Sequence, residues 1–250
     1  MQYGICKLGV IPVRFKANDE SEMVTQLLYG DHFEIINQQG NWLQIRIAFD
    51  HYEGWIDQKQ IELINNNQFE TCMNQVFDCS ADLIEYVQLA DQSLMSIPLG
   101  SCLSGQFVFK HQFEGHNNQQ LIDQKTAIPE TAFMYLNAPY LWGGKTPFGI
   151  DCSGLTQMVY RMHGYVLPRD ASQQAKEGDA LSFIEESEPG DLAFFDNDEG
   201  NIIHVGIMLK DNYIIHAHGH VRIDRIDHTG IFNVETKTYS HQLRVIKKII

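Results

Sequence analysis

A chain of 250 residues with 44% hydrophobic side chains carries enough apolar material for one large or two to three small cores, and no apolar run approaches the length of a membrane span. Its 18 Lys and Arg stand against 32 Asp and Glu, a formal charge of −14, which argues against binding to a phosphate backbone or to anionic lipid. Five cysteines are an odd number without CxxC or zinc-like spacing, so a disulfide scaffold is not expected and reduced thiols in a cytoplasm are.

The start, Met1-Gln-Tyr-Gly-Ile-Cys6, lacks a basic segment followed by a long apolar one, so no secretory signal is expected there. Residues 1–64 then show short alternating runs. They are Gly9-Val-Ile-Pro-Val-Arg14, Asp31-His-Phe-Glu-Ile-Ile36, Trp42-Leu-Gln-Ile-Arg-Ile47 and Glu53-Gly-Trp-Ile-Asp57. Asn/Gly turns such as Asn37-Gln-Gln-Gly-Asn41 separate them. Short strands at regular spacing predict a small β-barrel. Residues 65–125 open on a helical pattern with Val76, Leu83, Ile84 and Val87 apolar, followed by strand-like Ser93–Leu99 and Gln106–Lys110. This stretch reads as a second, divergent barrel.

Residues 126–250 contain the densest chemistry. A Gly/Pro-rich loop from Tyr140 runs into Asp151-Cys152-Ser153-Gly154, and apolar residues at helical spacing follow at Leu155, Met158, Val159 and Met162. Asp151 is a good helix N-cap, which puts Cys152 in the first helical turn. Free N–H groups and the helix dipole there favour a thiolate, the nucleophilic form of cysteine. Most free cysteines are inert core residues, and Cys6, Cys72, Cys79 and Cys102 fit that description. A nucleophile also needs a base. Asn201–Leu209 reads as a buried strand carrying His204, and Tyr213–Gly219 as its hairpin partner carrying His216. A nucleophile, a base and an orienting group are thereby within reach of one another. A rival lies in His216-Ala-His218-Gly-His220, where alternate histidines on one face suit a transition metal. Gly219 interrupts that run, and no metal is assigned.

The segments Tyr140-Leu-Trp-Gly-Gly144, Phe148–Leu155, Leu167-Pro-Arg-Asp170, Pro189–Phe195, His204-Val-Gly-Ile207 and Ile215-His216 resemble, in order, the NlpC-type cell-wall peptidases, a papain-like group of cysteine hydrolases. The pattern of residues 1–64 resembles a bacterial SH3-type domain. The resemblance implies an α+β chain. Two SH3-like barrels (1–64 and 65–125) would precede a papain-like peptidase domain (126–250) whose helical half packs on an antiparallel sheet. It implies Cys152 as nucleophile, His204 as base, His216 as the residue orienting the imidazole, and no cofactor. Tyr140 would join a backbone N–H in holding the oxyanion, or serve as a packed aromatic. Asp151 and Ser153 would meet a substrate amine, Asp151 alternatively acting as a helix cap alone. Trp142 would wall the cleft, and Arg169 and Asp170 belong to the loop after the cysteine helix. That loop commonly continues with Ser or Thr, whereas Ala171 stands here. Glu22 and Tyr52 are the first barrel's candidates for the amine.

The cytoplasmic branch of the group is the more similar one. It implies hydrolysis of the γ-D-glutamyl–diamino acid bond in free murein peptides such as L-Ala-γ-D-Glu-diaminopimelate, by a monomer with no nucleic-acid or membrane partner. A secreted wall hydrolase anchored by its barrels and a decayed wall-fragment binder are the alternatives.

Overall fold

The computed structural model describes residues 2–250, which divide into one compact unit ending at Ile122 and a second over Asp123–Ile250. Among the described residues no helix is long and apolar enough to cross a membrane, and all five cysteines are free.

The first unit opens with seven strands: β1 (Gln2–Cys6), β2 (Val10–Arg14), β3 (Met23–Leu28), β4 (His32–Gln39), β5 (Trp42–Ile47), β6 (Glu53–Asp57) and β7 (Ile61–Ile64). They form one antiparallel sheet in the order β3-β2-β6-β5-β4-β1-β7. Alternation does the folding. In β5, Leu43, Ile45 and Ile47 are buried while Gln44 and Arg46 lie between them on the other face. Cys6, Ile11, Val13, Leu27, Phe33, Ile45, Ile56 and Ile61 belong to one apolar cluster. All seven strands contribute to it, so the sheet is curled around a single core.

Residues 65–122 differ from their expectation. Helix α1 (Asn66–Met73) is fixed by a capping box in which Asn65 accepts from Gln68 N–H and the Gln68 side chain accepts from Asn65 N–H, both at 3.0 Å. The helix ends before Val76. Ile84 and Val87 lie on a strand, β8 (Ile84–Gln88), which pairs with β9 (Leu94–Pro98). Val87 is buried between exposed Tyr86 and half-buried Gln88, a period of two and not of 3.6. The expected strand at Gln106–Lys110 is helix α2 (Ser104–Phe109), stopped by Lys110 in the left-handed conformation. With β10 (Gln112–Phe113) the region forms a three-stranded sheet, β10-β8-β9.

This region packs closely on the turn after β3. Gly30 has φ +78°, and a Cβ placed there would lie 1.8 Å from the Cys102 carbonyl oxygen. Gly30→Ala is therefore expected to destabilise the unit by more than about 1 kcal/mol. A urea midpoint unchanged from the parent would contradict that contact.

The second unit begins with α3 (Ile128–Phe133), the short hairpin β11 (Lys145–Thr146) and β12 (Gly149–Ile150), then α4 (Cys152–Met162), α5 (Ala171–Gln174) and β13 (Asp179–Ala180). Six strands follow: β14 (Leu192–Asp196), β15 (Ile202–Met208), β16 (Tyr213–His218), β17 (His220–Ile226), β18 (Gly230–Asn233) and β19 (Thr238–Lys248). Each pairs antiparallel with the next. The long β19 returns to pair with β18 through Thr238–Gln242 and with β14 through Gln242–Lys247, which closes the ring. Every ring strand gives a residue to one cluster, among them Phe195, Met208, Ile214, Ile226, Ile231 and Ile246.

Helix α4 is buried along its whole length. Three of its polar side chains are bonded inside the unit: Thr156 Oγ1 donates to Gln174 Oε1 at 2.7 Å, Gln157 Nε2 to Leu167 O at 2.9 Å, and Tyr160 OH to Gly190 O at 2.6 Å.

Candidate active site

Cys152 is the first residue of α4, and Asp151 is its N-cap. Asp151 Oδ1 accepts from Gly154 N–H at 2.7 Å and Oδ2 from Gly143 N–H at 2.8 Å, which ties the glycine loop to the helix start. Arg169 donates to both oxygens, at 3.0 and 2.6 Å, and to Ser153 Oγ at 2.9 Å. This pair is buried, Arg169 to 2% exposure and Asp151 to 5%, and its fork geometry compensates the lost hydration. A substrate amine near Ser153 would meet a neutralised, fully bonded cluster and not an idle carboxylate.

The histidines assemble through strand register. Gly206 faces His216, so His204, two residues back, lies on the same face as His216. His204 Nε2 is 2.8 Å from His216 Nδ1, and His216 Nε2 is 3.0 Å from Asp224 Oδ2. Arg222 holds that carboxylate by two bonds, Nε to Oδ2 at 2.7 Å and Nη2 to Oδ1 at 3.0 Å. Met208, Ile214 and Ile226 share the face of His204, His216 and Asp224, so the polar chain continues the apolar interior of the ring.

The bonds fix the tautomers. Burial works against the Asp224 carboxylate, but bonds from His216 and Arg222 outweigh it and hold its pKa below the usual value. It is ionised and can only accept, so the His216 proton is on Nε2. Burial lowers the His216 pKa despite Asp224, leaving the ring neutral with a lone pair on Nδ1. His204 therefore donates from Nε2 and keeps its own lone pair on Nδ1.

Cys152 lies beside the same strand, with its sulfur accepting from the N–H of Val205, next to His204, and of Ser153. The helix start was expected to favour a thiolate. Burial instead pushes the thiol up to about 12, helped by the Asp151 charge and only partly offset by those N–H groups and Arg169. Burial and the neighbouring imidazoles push His204 well below its ordinary value. Both shifts favour the uncharged forms.

Tyr140 is 37% exposed and its backbone N–H donates to Gly219 O. Burial and the nearby Cys152 and Asp151 charges push its hydroxyl up to about 12, so it remains a donor. Trp142 is exposed. Asp170 is the N-cap of α5, its N–H donating to Gln173 Oε1 at 3.4 Å. Glu22 and Tyr52 lie in the first unit, Glu22 exposed before β3 and Tyr52 packed against the barrel core. The cluster described for the second unit is built without them. Of the His216, His218 and His220 run, only His216 belongs to a group of metal-compatible nitrogens.

Three participants were not anticipated. Asp224 and Arg222 sit in an alternating polar strand that reads as solvent-facing; only their shared parity with His216 marks them. His241 stacks on His204 with ring centroids 4.1 Å apart and planes at 21°.

Acid sensitivity follows. His204 must be neutral to take a proton, and its depressed pKa keeps it neutral as pH falls through the ordinary imidazole value of about 6.5. The acid limb of kcat/KM is expected below about 6.5. A limb at or above that pH would show that the His204 ring is not held below its ordinary value.

Residues 137–240 match the NlpC/P60 family, and residues 13–61 match the bacterial dipeptidyl-peptidase SH3 domain. The chain is 28% identical over 214 residues to a gamma-D-glutamyl-L-lysine dipeptidyl-peptidase of Bacillus subtilis strain 168, covering 77% of this chain and 71% of that one. It is 27% identical over 233 residues to dipeptidyl-peptidase 6 of Lysinibacillus sphaericus, covering 79% and 80%. The crystal structure of an NlpC/P60 family protein from Bacillus cereus ATCC 10987 superposes with a TM-score of 0.76 at 18% identity over 99% of both chains, which shows the shared fold.

Proposed function

With an NlpC/P60 domain at residues 137–240 and a bacterial SH3 domain at 13–61 as the premise, we propose that this chain is a cysteine peptidase cutting the γ-D-glutamyl–diamino acid bond of free cell-wall peptides. The observation that carries the reading is the bonded chain His204–His216–Asp224 across β15, β16 and β17, with Cys152 at the start of α4 bonded to the Val205 N–H beside His204. The names of the Bacillus relatives support the substrate class.

In the proposed reaction the Cys152 sulfur attacks the γ-carbonyl of D-Glu while its proton passes to His204 Nδ1. The oxyanion is held by the Cys152 N–H and the Tyr140 hydroxyl. Collapse to the thioester expels the diamino acid, whose amine takes the proton from His204. Water, deprotonated by the same nitrogen, then releases the acid and restores the thiol. His216 and Asp224 keep Nδ1 of His204 unprotonated between turnovers.

We read the substrate as a peptide with a free N-terminal L-Ala, such as L-Ala-γ-D-Glu-diaminopimelate, met in cytoplasmic recycling by a monomer. Residues 65–125 are read as a second SH3-like fold reduced to a three-stranded sheet. Mass spectrometry of products from the diaminopimelate and lysine peptides tests the bond: release of the intact L-Ala-γ-D-Glu dipeptide is expected, and cleavage at the L-Ala bond would overturn the assignment. Acetylating the amine removes its charge beside Ser153 and should lower kcat/KM about tenfold. Equal rates would turn the reading toward a secreted wall hydrolase.

A further inference from the structure

We propose that His204, His216 and His241 bind one divalent transition-metal ion, and that the bound ion switches the candidate nucleophile's base off. One ring nitrogen from each of the three lies within 4.8 Å of the others. Imidazole without thiolate or carboxylate in the set suits zinc, cobalt, nickel or copper, and not calcium or magnesium.

His216 is prepared for such an ion. Its Nε2–H is held by Asp224 at 3.0 Å, so its Nδ1 lone pair faces the cluster, and Arg222 fixes the carboxylate behind it. A carboxylate orienting a histidine in this way raises its strength as a ligand. His204 Nε2 lies 2.8 Å from that lone pair. Two nitrogens on a tetrahedral ion, each at about 2.0–2.1 Å, stand about 3.3 Å apart. To admit it the two nitrogens part by about half an ångström and each ring turns so that its lone pair points at the ion and no longer along the line between them. His241 is half-buried, and its Nδ1 is bonded to Ser240 Oγ at 2.9 Å, which leaves Nε2 as the coordinating atom. A turn of its ring out of the stack on His204 brings that nitrogen to the ion.

Occupancy and base function exclude each other. The hydrogen-bonded chain puts the His204 proton on Nε2. An ion there shifts the ring's single N–H proton from Nε2 to Nδ1, the nitrogen that must otherwise be free to accept one. Metal thus acts as an inhibitor, not a cofactor.

The test is independent of the peptidase reading, because binding is measured in a chain without the nucleophile. Cobalt(II) is titrated into Cys152→Ala, which removes the thiolate as a competing ligand, and visible ligand-field absorption is recorded. One equivalent with the intensity of a tetrahedral nitrogen site is expected. His241→Phe keeps a ring against His204 but lacks the nitrogen, and should weaken cobalt at least ten- to about a hundredfold. Asp224→Asn should weaken it over a similar range. His218→Ala should bind as the parent does. Absence of ligand-field bands in Cys152→Ala, or unchanged affinity in His241→Phe, would overturn the proposal.

Discussion

Cys152→Ser is expected to lose turnover by on the order of a thousandfold or more while keeping its fold. A hydroxyl gives up its proton far less readily than a thiol, even one pushed up to about 12, and His204 is too weak a base to compensate. Native protein treated with iodoacetamide should be modified at Cys152 alone. It is 7% exposed, whereas Cys6, Cys72, Cys79 and Cys102 have no exposed surface for the reagent to reach. An active serine variant, or label on Cys102 at the same rate, would remove Cys152 from the role.

Asp224→Ala should lower kcat by about a hundredfold with little change in KM. Without the carboxylate, the fully buried His216 loses the Asp224 oxygen that accepts its Nε2–H among the described residues. Leaving that donor unpaired costs about 1–3 kcal/mol, so the ring population shifts toward the Nδ1–H tautomer. His216 then donates to His204, the His204 proton moves to Nδ1, and the base is lost. The upper end of that cost corresponds to about a hundredfold. Long-range proton–nitrogen NMR of the imidazoles distinguishes this from general damage: the parent should show Nε2–H on both rings, and the variant Nδ1–H. A variant with parental tautomers and parental kcat would show that Asp224 is structural only.

The readable parts of the site were those with local signatures. Asp151 capping a run of apolar residues at helical spacing placed Cys152 at a helix start, where α4 has it. Two apolar strands with a polar connection placed His204 and His216 on β15 and β16, neighbours in the sheet. What escaped depended on pairing between strands. Asp224 reaches His216 only because β17 is in register with β16, and nothing near it in the chain distinguishes it from a surface carboxylate. His241 arrives from a strand with exposed Tyr239 and Ser240 beside it. The thiol's direction of shift was misjudged because a helix start is visible in a sequence and burial is not. In residues 65–122, the helical and strand readings of Ile84–Gln88 and Ser104–Phe109 were exchanged. Both are short apolar runs, where periodicity carries little information and the partner strand decides.

The double pairing of β19 has a consequence for biosynthesis. A ribosome that has not yet delivered residues 238–248 leaves β14 and β18 as two unpaired edges, with Ile231 and Phe195 lacking their wall. At about 5–20 residues per second, translation exposes this incomplete sheet for seconds after His204 and His216 have emerged. The nascent chain is then a candidate for chaperone capture, and it cannot hold His204 in its final stack until His241 is released from the exit tunnel. Peptidase activity on stalled ribosomes should therefore switch on abruptly once β19 is clear, and not rise with each strand added.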